Sequence, residues 1–183
     1  MRTKEILLEL LIQEGVIISP DIDDNGIYSV TLKESKDYEF RIDKVPENSF
    51  AIKCDMFPVL NEKKIVTFFR GEKGECKRAD YALICESEKR IMFFEITKSS
   101  NKTVSEAILQ LKGAKCIIDY CEIIAEMFWK EGKIFGGFQC TYYIIYLSMT
   151  PRHSFNRRNT TNSSDIDNPR QIVGSSAIFN ALL

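Results

Sequence analysis

Two carboxylates occupy matching positions in neighbouring strand-like runs of the chain. Asp80 lies in the run over residues 77–84, and Glu95 lies in the next one, over residues 91–98. The polar residues 86–89 between these runs favour a turn, so the two runs predict a β-hairpin. A hairpin centred between Ser87 and Glu88 would place Asp80 directly opposite Glu95, with their Cβ atoms about 4.5–5.5 Å apart.

This spacing matters because like charges that close on a sheet are unfavourable unless a counter-charge neutralises them. A divalent cation would do so, since carboxylate oxygens are its usual protein ligands. A loop one residue longer or shorter would put one carboxylate on the opposite face of the sheet. A separate alternative is that Asp80 and Glu95 are two edge carboxylates, both exposed to solvent. A two- or four-residue loop therefore predicts a metal site.

Lys98 and Gln110 are further residues that could act at this pair. Residues two apart share a face of a strand, so Lys98 reaches the face of Glu95 only past a bulge or beyond the end of the strand. Gln110 is a polar member of an apolar helical stripe, and a buried amide needs hydrogen-bond partners. The alternatives are a solvated lysine at a strand exit and a glutamine at the edge of the stripe. The stripe comprises Ala107, Gln110, Ala114, Ile117, Cys121 and Phe128.

The rest of the pattern predicts an α/β domain with strands before the hairpin and a long helix after it. The last strand is apolar on both faces, which indicates a central position in the sheet. The expected helices span residues 3–14 and 104–128, the latter capped near residues 101–103, and the further strands span residues 27–33, 38–42, 49–56, 64–69 and 140–147.

Composition limits the functional classes. The formal net charge is −1, so nucleic-acid binding would need a local basic patch. The chain has six cysteines without a C-x-x-C pair and a single histidine, His153, which argues against a structural zinc site. The N-terminus has no uninterrupted apolar stretch of the length of a signal peptide or a membrane span. We therefore expect a cytoplasmic protein with reduced thiols and no membrane partner.

The order of these residues resembles the PD-(D/E)xK nuclease superfamily. The matching segments are Lys77-Arg78-Ala79-Asp80-Tyr81, Phe93-Phe94-Glu95-Ile96-Thr97-Lys98 and Ala107-Ile108-Leu109-Gln110-Leu111. The resemblance implies a restriction-endonuclease-like core of helix, three-stranded antiparallel meander, helix and strand within residues 1–150, here with extra N-terminal strands. It also implies hydrolysis of DNA or RNA phosphodiester bonds, with Asp80 and Glu95 holding Mg²⁺ or Mn²⁺.

The resemblance also implies roles for other residues. Lys98 would position a water or neutralise developing charge, and Gln110 would orient a ligand or the nucleophile. The chain departs from the family pattern here, because Thr97 stands two residues after Glu95 and the lysine comes one residue later. This departure supports a second hypothesis, a catalytically silent module of the same fold that binds nucleic acid or protein.

Basic and acidic residues outside the two carboxylates are the remaining site candidates. Each basic residue could equally be ordinary surface charge. The expected phosphate contacts are Lys77, Arg78, Arg152, Arg157 and Arg158, and weaker candidates for a further metal ligand are Glu5, Glu9 and Glu14.

The composition changes at Pro151, after which polar residues dominate. We interpret residues 151–183 as a polar tail with an apolar docking segment at its end. Residues 156–168 are expected to be extended and mobile. The segment from about Ile172 is expected to dock on the domain or on a second copy, which would make it an oligomerisation arm.

Overall fold

The computed structural model describes residues 2–8, 15–35, 38–55, 72–97, 103–147 and 163–183. These residues form a mixed α/β arrangement in which a long helix and a second, smaller sheet cover the two faces of a larger sheet. The helices are α1 (Arg2–Ile6) and α2 (Val104–Trp129), and the strands are β1 (Ile17–Ile18), β2 (Asp21–Ile22), β3 (Tyr28–Ser35), β4 (Tyr38–Asp43), β5 (Ser49–Lys53), β6 (Tyr81–Cys85), β7 (Arg90–Thr97), β8 (Gln139–Tyr146), β9 (Arg170–Val173) and β10 (Ser176–Ile178).

The larger sheet is built around the predicted hairpin. Within the described residues its strand order is β1-β5-β6-β7-β8-β9. Strands β5, β6 and β7 form an antiparallel meander, and β8 and β9 run parallel to β7. The apolar strand β8 is central, as expected, with β7 on one side and β9 on the other.

Helix α2 begins at a capping box, in which the Thr103 hydroxyl accepts the backbone N–H of Glu106 and the Glu106 carboxylate accepts that of Thr103. Its buried stripe is rotated from the expected one. Gln110 and Ile117 are only partly buried, and Phe128 is 70 % exposed. The buried positions are Ala107, Leu111, Gly113, Ala114, Ile118, Cys121 and Ala125.

The smaller sheet has the order β10-β4-β3-β2 in the described chain. Its β3–β4 pair is the expected antiparallel pair, with Val30 opposite Ile42 and Leu32 opposite Phe40. These four side chains are buried against the face of the larger sheet that lies away from α2. The two sheets therefore enclose a second apolar core.

The C-terminal segment docks on its own chain by completing both sheets. Strand β9 lies parallel to β8, and β10 lies parallel to β4. The extended conformation expected for residues 156–168 is wrong for residues 163–168, which form turns. The Tyr142 N–H donates to the Ser163 carbonyl (2.7 Å), and the Asn168 N–H donates to the Asp165 carbonyl (3.1 Å). The first bond joins this polar segment to β8, and the second closes a turn within it.

Some expectations lie outside the described residues, namely the strand over 64–69 and the first helix beyond residue 8. The described part of that helix begins at Arg2, one residue earlier than expected. None of the helices in the described ranges has the length and apolar character needed to cross a bilayer.

Candidate metal centre

The β6–β7 register determines how the two carboxylates lie. Tyr81 pairs with Phe94 and Cys85 pairs with Arg90, which leaves a four-residue loop. Continuing this register by one pair places Asp80 opposite Glu95. The even residues of β6 and the odd residues of β7 pack in the core under α2, so both carboxylates belong to that face of the sheet.

Asp80 is held in place by the neighbouring strand. Its Oδ2 accepts the backbone N–H of Ile96 over 2.7 Å, and its own carbonyl accepts the N–H of Cys54 over 2.9 Å. A charged acceptor makes the first of these bonds stronger than a neutral one. The carboxylate of Asp80 is therefore fixed next to the backbone that carries Glu95.

Glu95 is 1 % exposed, and it is the only charged side chain that is buried in the described part of the chain. Removing an ionised carboxylate from water is costly unless cations or hydrogen-bond donors compensate. On the parallel side its register partner is Ile144, which belongs to the apolar core. A buried acid next to a second acid therefore occurs at this position of the sheet, whereas the other buried residues of the described chain are uncharged.

Cys54 lies on the other side of Asp80 and was not expected at the site. The β5–β6 register pairs Lys53 with Tyr81, and its continuation brings Cys54 opposite Asp80. Burial, and to a smaller extent the negative charge of Asp80, raise the pKa of the Cys54 thiol. Cys54 is therefore a neutral thiol that lies next to Asp80 at the edge of the candidate site. Cys54 is two residues after Ile52 and four after Phe50, so the alternation of strand side chains already indicated that all three share the face under α2.

Helix α2 packs closely against the segment that precedes Asp80 and forms hydrogen bonds with it. The Ala79 N–H donates to the Gln110 carbonyl (2.8 Å), and Nε2 of Gln110 donates to the Arg78 carbonyl (3.2 Å). A Cβ on Gly113 would lie 1.7 Å from the Lys77 carbonyl oxygen, so only glycine permits this approach. Gln110 therefore contacts the segment before Asp80 through one backbone and one side-chain hydrogen bond, and sequence reasoning missed Gly113.

The other candidate residues are less closely tied to the pair. The Lys77 ammonium lies 4.0 Å from the Glu106 carboxylate on the surface, and Arg78 is half-buried. Thr97, the last residue of β7, is buried on the same core-facing side as Glu95. Glu5 is exposed on α1. The calls that lie outside the described residues are Lys98, Glu9, Glu14, Arg152, Arg157 and Arg158.

The donor set at the pair fits a hard divalent cation. Mg²⁺ is commonly bound by one or two carboxylates, with waters and substrate phosphates completing its coordination. No group of three or more His, Cys, Asp or Glu side chains with metal-binding geometry occurs in the described ranges. Asp80 and Glu95 would thus supply the two protein ligands of an open site.

Comparisons of the chain with protein-family models, with curated proteins and with solved structures gave no match. The superfamily resemblance therefore stays a prediction based on residues 77–111. Any functional assignment depends on the geometry of the site.

Proposed function

We propose that this chain is a divalent-metal-dependent nuclease that hydrolyses phosphodiester bonds of DNA or RNA. The observation that carries the proposal is the Asp80–Glu95 pair, two carboxylates on one face of adjacent strands with one of them buried. Such a like-charge pair is unfavourable without a counter-ion, and oxygen ligands select Mg²⁺ or Mn²⁺.

The order of elements supports this proposal. Helix α1, the meander β5-β6-β7, helix α2 and the parallel strand β8 follow one another in the order that a restriction-endonuclease-like core requires. The strands β1 to β4 would be additions to that core. Asp80 directly precedes the second strand of the meander and Glu95 lies on the third, which is compatible with the order that the resemblance implies.

The proposed chemistry depends on preorganised carboxylates. A Mg²⁺ or Mn²⁺ ion held by Asp80 and Glu95 would supply Lewis-acid activation of the phosphodiester and a lowered pKa for water. The Ile96 N–H fixes Asp80, burial fixes Glu95, and the two Gln110 hydrogen bonds fix the approach to Asp80. Fixed ligands need no reorganisation during the reaction, which favours catalysis.

Basic residues near the pair would bind the substrate. Lys77 and Arg78 immediately precede Ala79 and Asp80 and would contact phosphates near the scissile bond, with the Lys77 ammonium turning from the Glu106 carboxylate 4.0 Å away. Lys98 follows the last residue of β7 and would neutralise charge that develops on the phosphate. These roles make the local charge near the pair, rather than the net charge of −1, the determinant of nucleic-acid affinity.

A second candidate function is a silent binding module of the same fold. The bond between Asp80 Oδ2 and the Ile96 N–H favours it, because this bond gives the carboxylate a structural use without a metal. The two candidates differ in one property. Only the nuclease requires Asp80 to carry a negative charge, since an asparagine oxygen could also accept the Ile96 N–H.

A cleavage assay tests the proposal. Purified protein is incubated with single- and double-stranded DNA and RNA in Mg²⁺, in Mn²⁺ and in EDTA. We expect metal-dependent cleavage of at least one substrate by wild-type protein and none by Asp80→Asn. Binding without cleavage in every metal would favour the silent module. Equal cleavage by both proteins would show that the activity does not come from this site.

A further inference from the structure

A cleft of about 300 Å³ lies on the other face of the strands that carry the candidate site. Among its described lining residues are two lysines, Lys33 and Lys53, and two acids, Asp21 and Glu39. Ser19 and Tyr81 also contribute polar atoms. The nuclease proposal has not used any of these side chains.

Tyr81 lines the cleft and connects it through the chain to the candidate metal centre. Its hydroxyl donates to the Lys33 carbonyl (2.6 Å) and accepts the Lys33 N–H (3.0 Å), so it caps the free edge of β3. Strand β2 pairs with β3 only at Tyr28 and Ser29, which leaves this edge open in the described chain. Tyr81 directly follows Asp80, and successive strand residues point to opposite faces.

Lys53 shares this position because it is the register partner of Tyr81. The cleft and the metal centre therefore lie back to back at one end of the β5–β6 pair, separated by the thickness of the sheet. A nucleic-acid strand that crosses this end could contact both. Because the metal centre is on the α2 face, the strand would have to bend around the end of β6.

The charged side chains of the cleft have opposite charges nearby, because Lys33 lies opposite Glu39 in the β3–β4 register and the charge of Asp21 contributes to the raised pKa of Arg41, but they are not held in close ion pairs. Within the described chain, neither Lys33 nor Lys53 forms an ion pair within 4 Å, and the same holds for Asp21 and Glu39. Ammonium groups bind phosphate, whereas carboxylates accept hydrogen bonds from the amino groups of bases. The mixed lining therefore suits a ligand that carries both a phosphate and an amino-substituted ring.

We propose that this cleft binds one unpaired nucleotide of the substrate strand and prefers a base with an exocyclic amino group. The inference rests on the proposed nuclease function and narrows its substrate class to strands with an unpaired nucleotide near the cleaved bond. The cleft volume of about 300 Å³ is at the lower limit for small-molecule sites, which suits a single nucleotide. Lys33 and Lys53 contact the phosphate, and Asp21 and Glu39 accept from the base.

Fluorescence anisotropy with labelled oligo-dC and oligo-dT tests the proposal in the Asp80→Asn background, which prevents cleavage. Lys53→Met and Lys33→Met should each weaken oligo-dC binding about tenfold and reduce the salt dependence of binding. The matched control is Lys133→Met, which removes the same charge from an exposed position. Lys133 is absent from the described residues that line the cleft.

Specificity gives a second test in the same background. Asp21→Ala and Glu39→Ala should remove the preference for oligo-dC over oligo-dT, because thymine has no amino group to donate. Circular dichroism of each variant controls for folding. Equal affinity of wild-type protein for oligo-dC and oligo-dT would overturn the proposed base preference.

The outcomes separate the cleft from the nuclease proposal. Metal-dependent cleavage by wild-type protein, together with Lys53→Met and Lys133→Met binding alike, would overturn the cleft and leave the nuclease intact. Wild-type protein that neither binds nor cleaves any oligonucleotide would overturn the nuclease proposal itself. Loss of binding in Lys53→Met but not in Lys133→Met supports the cleft.

Discussion

The two ends of the β6–β7 hairpin both carry acidic side chains, but their surroundings differ. At the closed end, the Glu86 carboxylate accepts the backbone N–H of Thr3 over 2.7 Å, which ties the start of α1 to the hairpin loop. At the open end, Asp80 and Glu95 lie opposite each other, and Glu95 is buried. Each end has an acid that accepts a backbone N–H, but only the open end adds a second, buried acid opposite the first.

This difference separates a structural carboxylate from a candidate catalytic one. A carboxylate that links two elements contributes to stability by its hydrogen bond. A pair of close carboxylates opposes stability, and sequences retain such local conflicts mainly at functional sites. We therefore expect substitutions at the open end to change activity more than stability, and substitutions at the closed end to do the reverse.

The largest expected effect is on cleavage by Asp80→Asn. Loss of the negative charge should lower the cleavage rate about a thousandfold, which corresponds to about 4 kcal/mol of transition-state stabilisation. The melting temperature should change little, because the amide oxygen can still accept the Ile96 N–H. Glu86→Gln makes the same chemical change at the closed end and should cleave like wild-type protein.

Alanine at position 80 is less informative than asparagine. The sequence alone suggests that Asp80→Ala relieves repulsion and leaves the fold intact or slightly more stable. The structure adds an opposing cost, since alanine would leave the Ile96 N–H without this acceptor. Comparison of the two variants by denaturant unfolding would separate the charge from the hydrogen bond.

The next largest effect is expected from Gly113→Ala on stability. The added Cβ would meet the Lys77 carbonyl at 1.7 Å, so α2 and the segment before Asp80 must move apart. Overpacking of this kind costs about 1–3 kcal/mol or more in the free energy of unfolding. Gly132→Ala is the matched control, because its Cβ would meet nothing within 4 Å. Equal melting temperatures for the two variants would contradict the tight packing.

Glu95→Gln should change stability in a metal-dependent way. Without metal, removal of the buried charge should raise the free energy of unfolding by about 1 kcal/mol or more. Saturating Mg²⁺ should stabilise the wild type by about 2–3 kcal/mol at a hundredfold excess over the Kd, but not this variant. Thermal unfolding with and without Mg²⁺ measures both effects. A Mg²⁺-induced shift of the same size in both proteins would place the metal elsewhere.

The smallest effect is expected from Glu86→Ala, which removes the acceptor of the Thr3 N–H. The free energy of unfolding should fall by about 1–2 kcal/mol, with cleavage unchanged. A cleavage defect comparable to that of Asp80→Asn would remove the distinction between the two ends of the hairpin.

The parts of the fold that were predictable from the sequence are local. The loop of residues 86–89 sets the register of its hairpin, so the Asp80–Glu95 pairing could be predicted from the chain between them. Helix α2 was predictable in extent, but not in orientation. Helix α2 carries apolar side chains such as Phe128 on its exposed faces as well, whereas its buried face includes small residues such as Ala114 and Ala125.

The parts that could not be predicted depend on contacts between distant residues. Strands β9 and β10 form parallel pairs with β8 and β4, and no local pattern specifies such partners. The approach of Gly113 to Lys77 likewise exists only after α2 has packed on the sheet. The pairing of Asp80 with Glu95 was more predictable than the packing around it, because one hairpin brings the two residues together.

The central claim is that Asp80 and Glu95 together bind a divalent cation. Titration of the metal-free protein with Mn²⁺, followed by electron paramagnetic resonance of the free ion, tests it without any substrate. We predict one Mn²⁺ site in wild-type protein and in Glu86→Gln, and loss of that site in both Asp80→Asn and Glu95→Gln. Equal Mn²⁺ binding by all four proteins would contradict the claim.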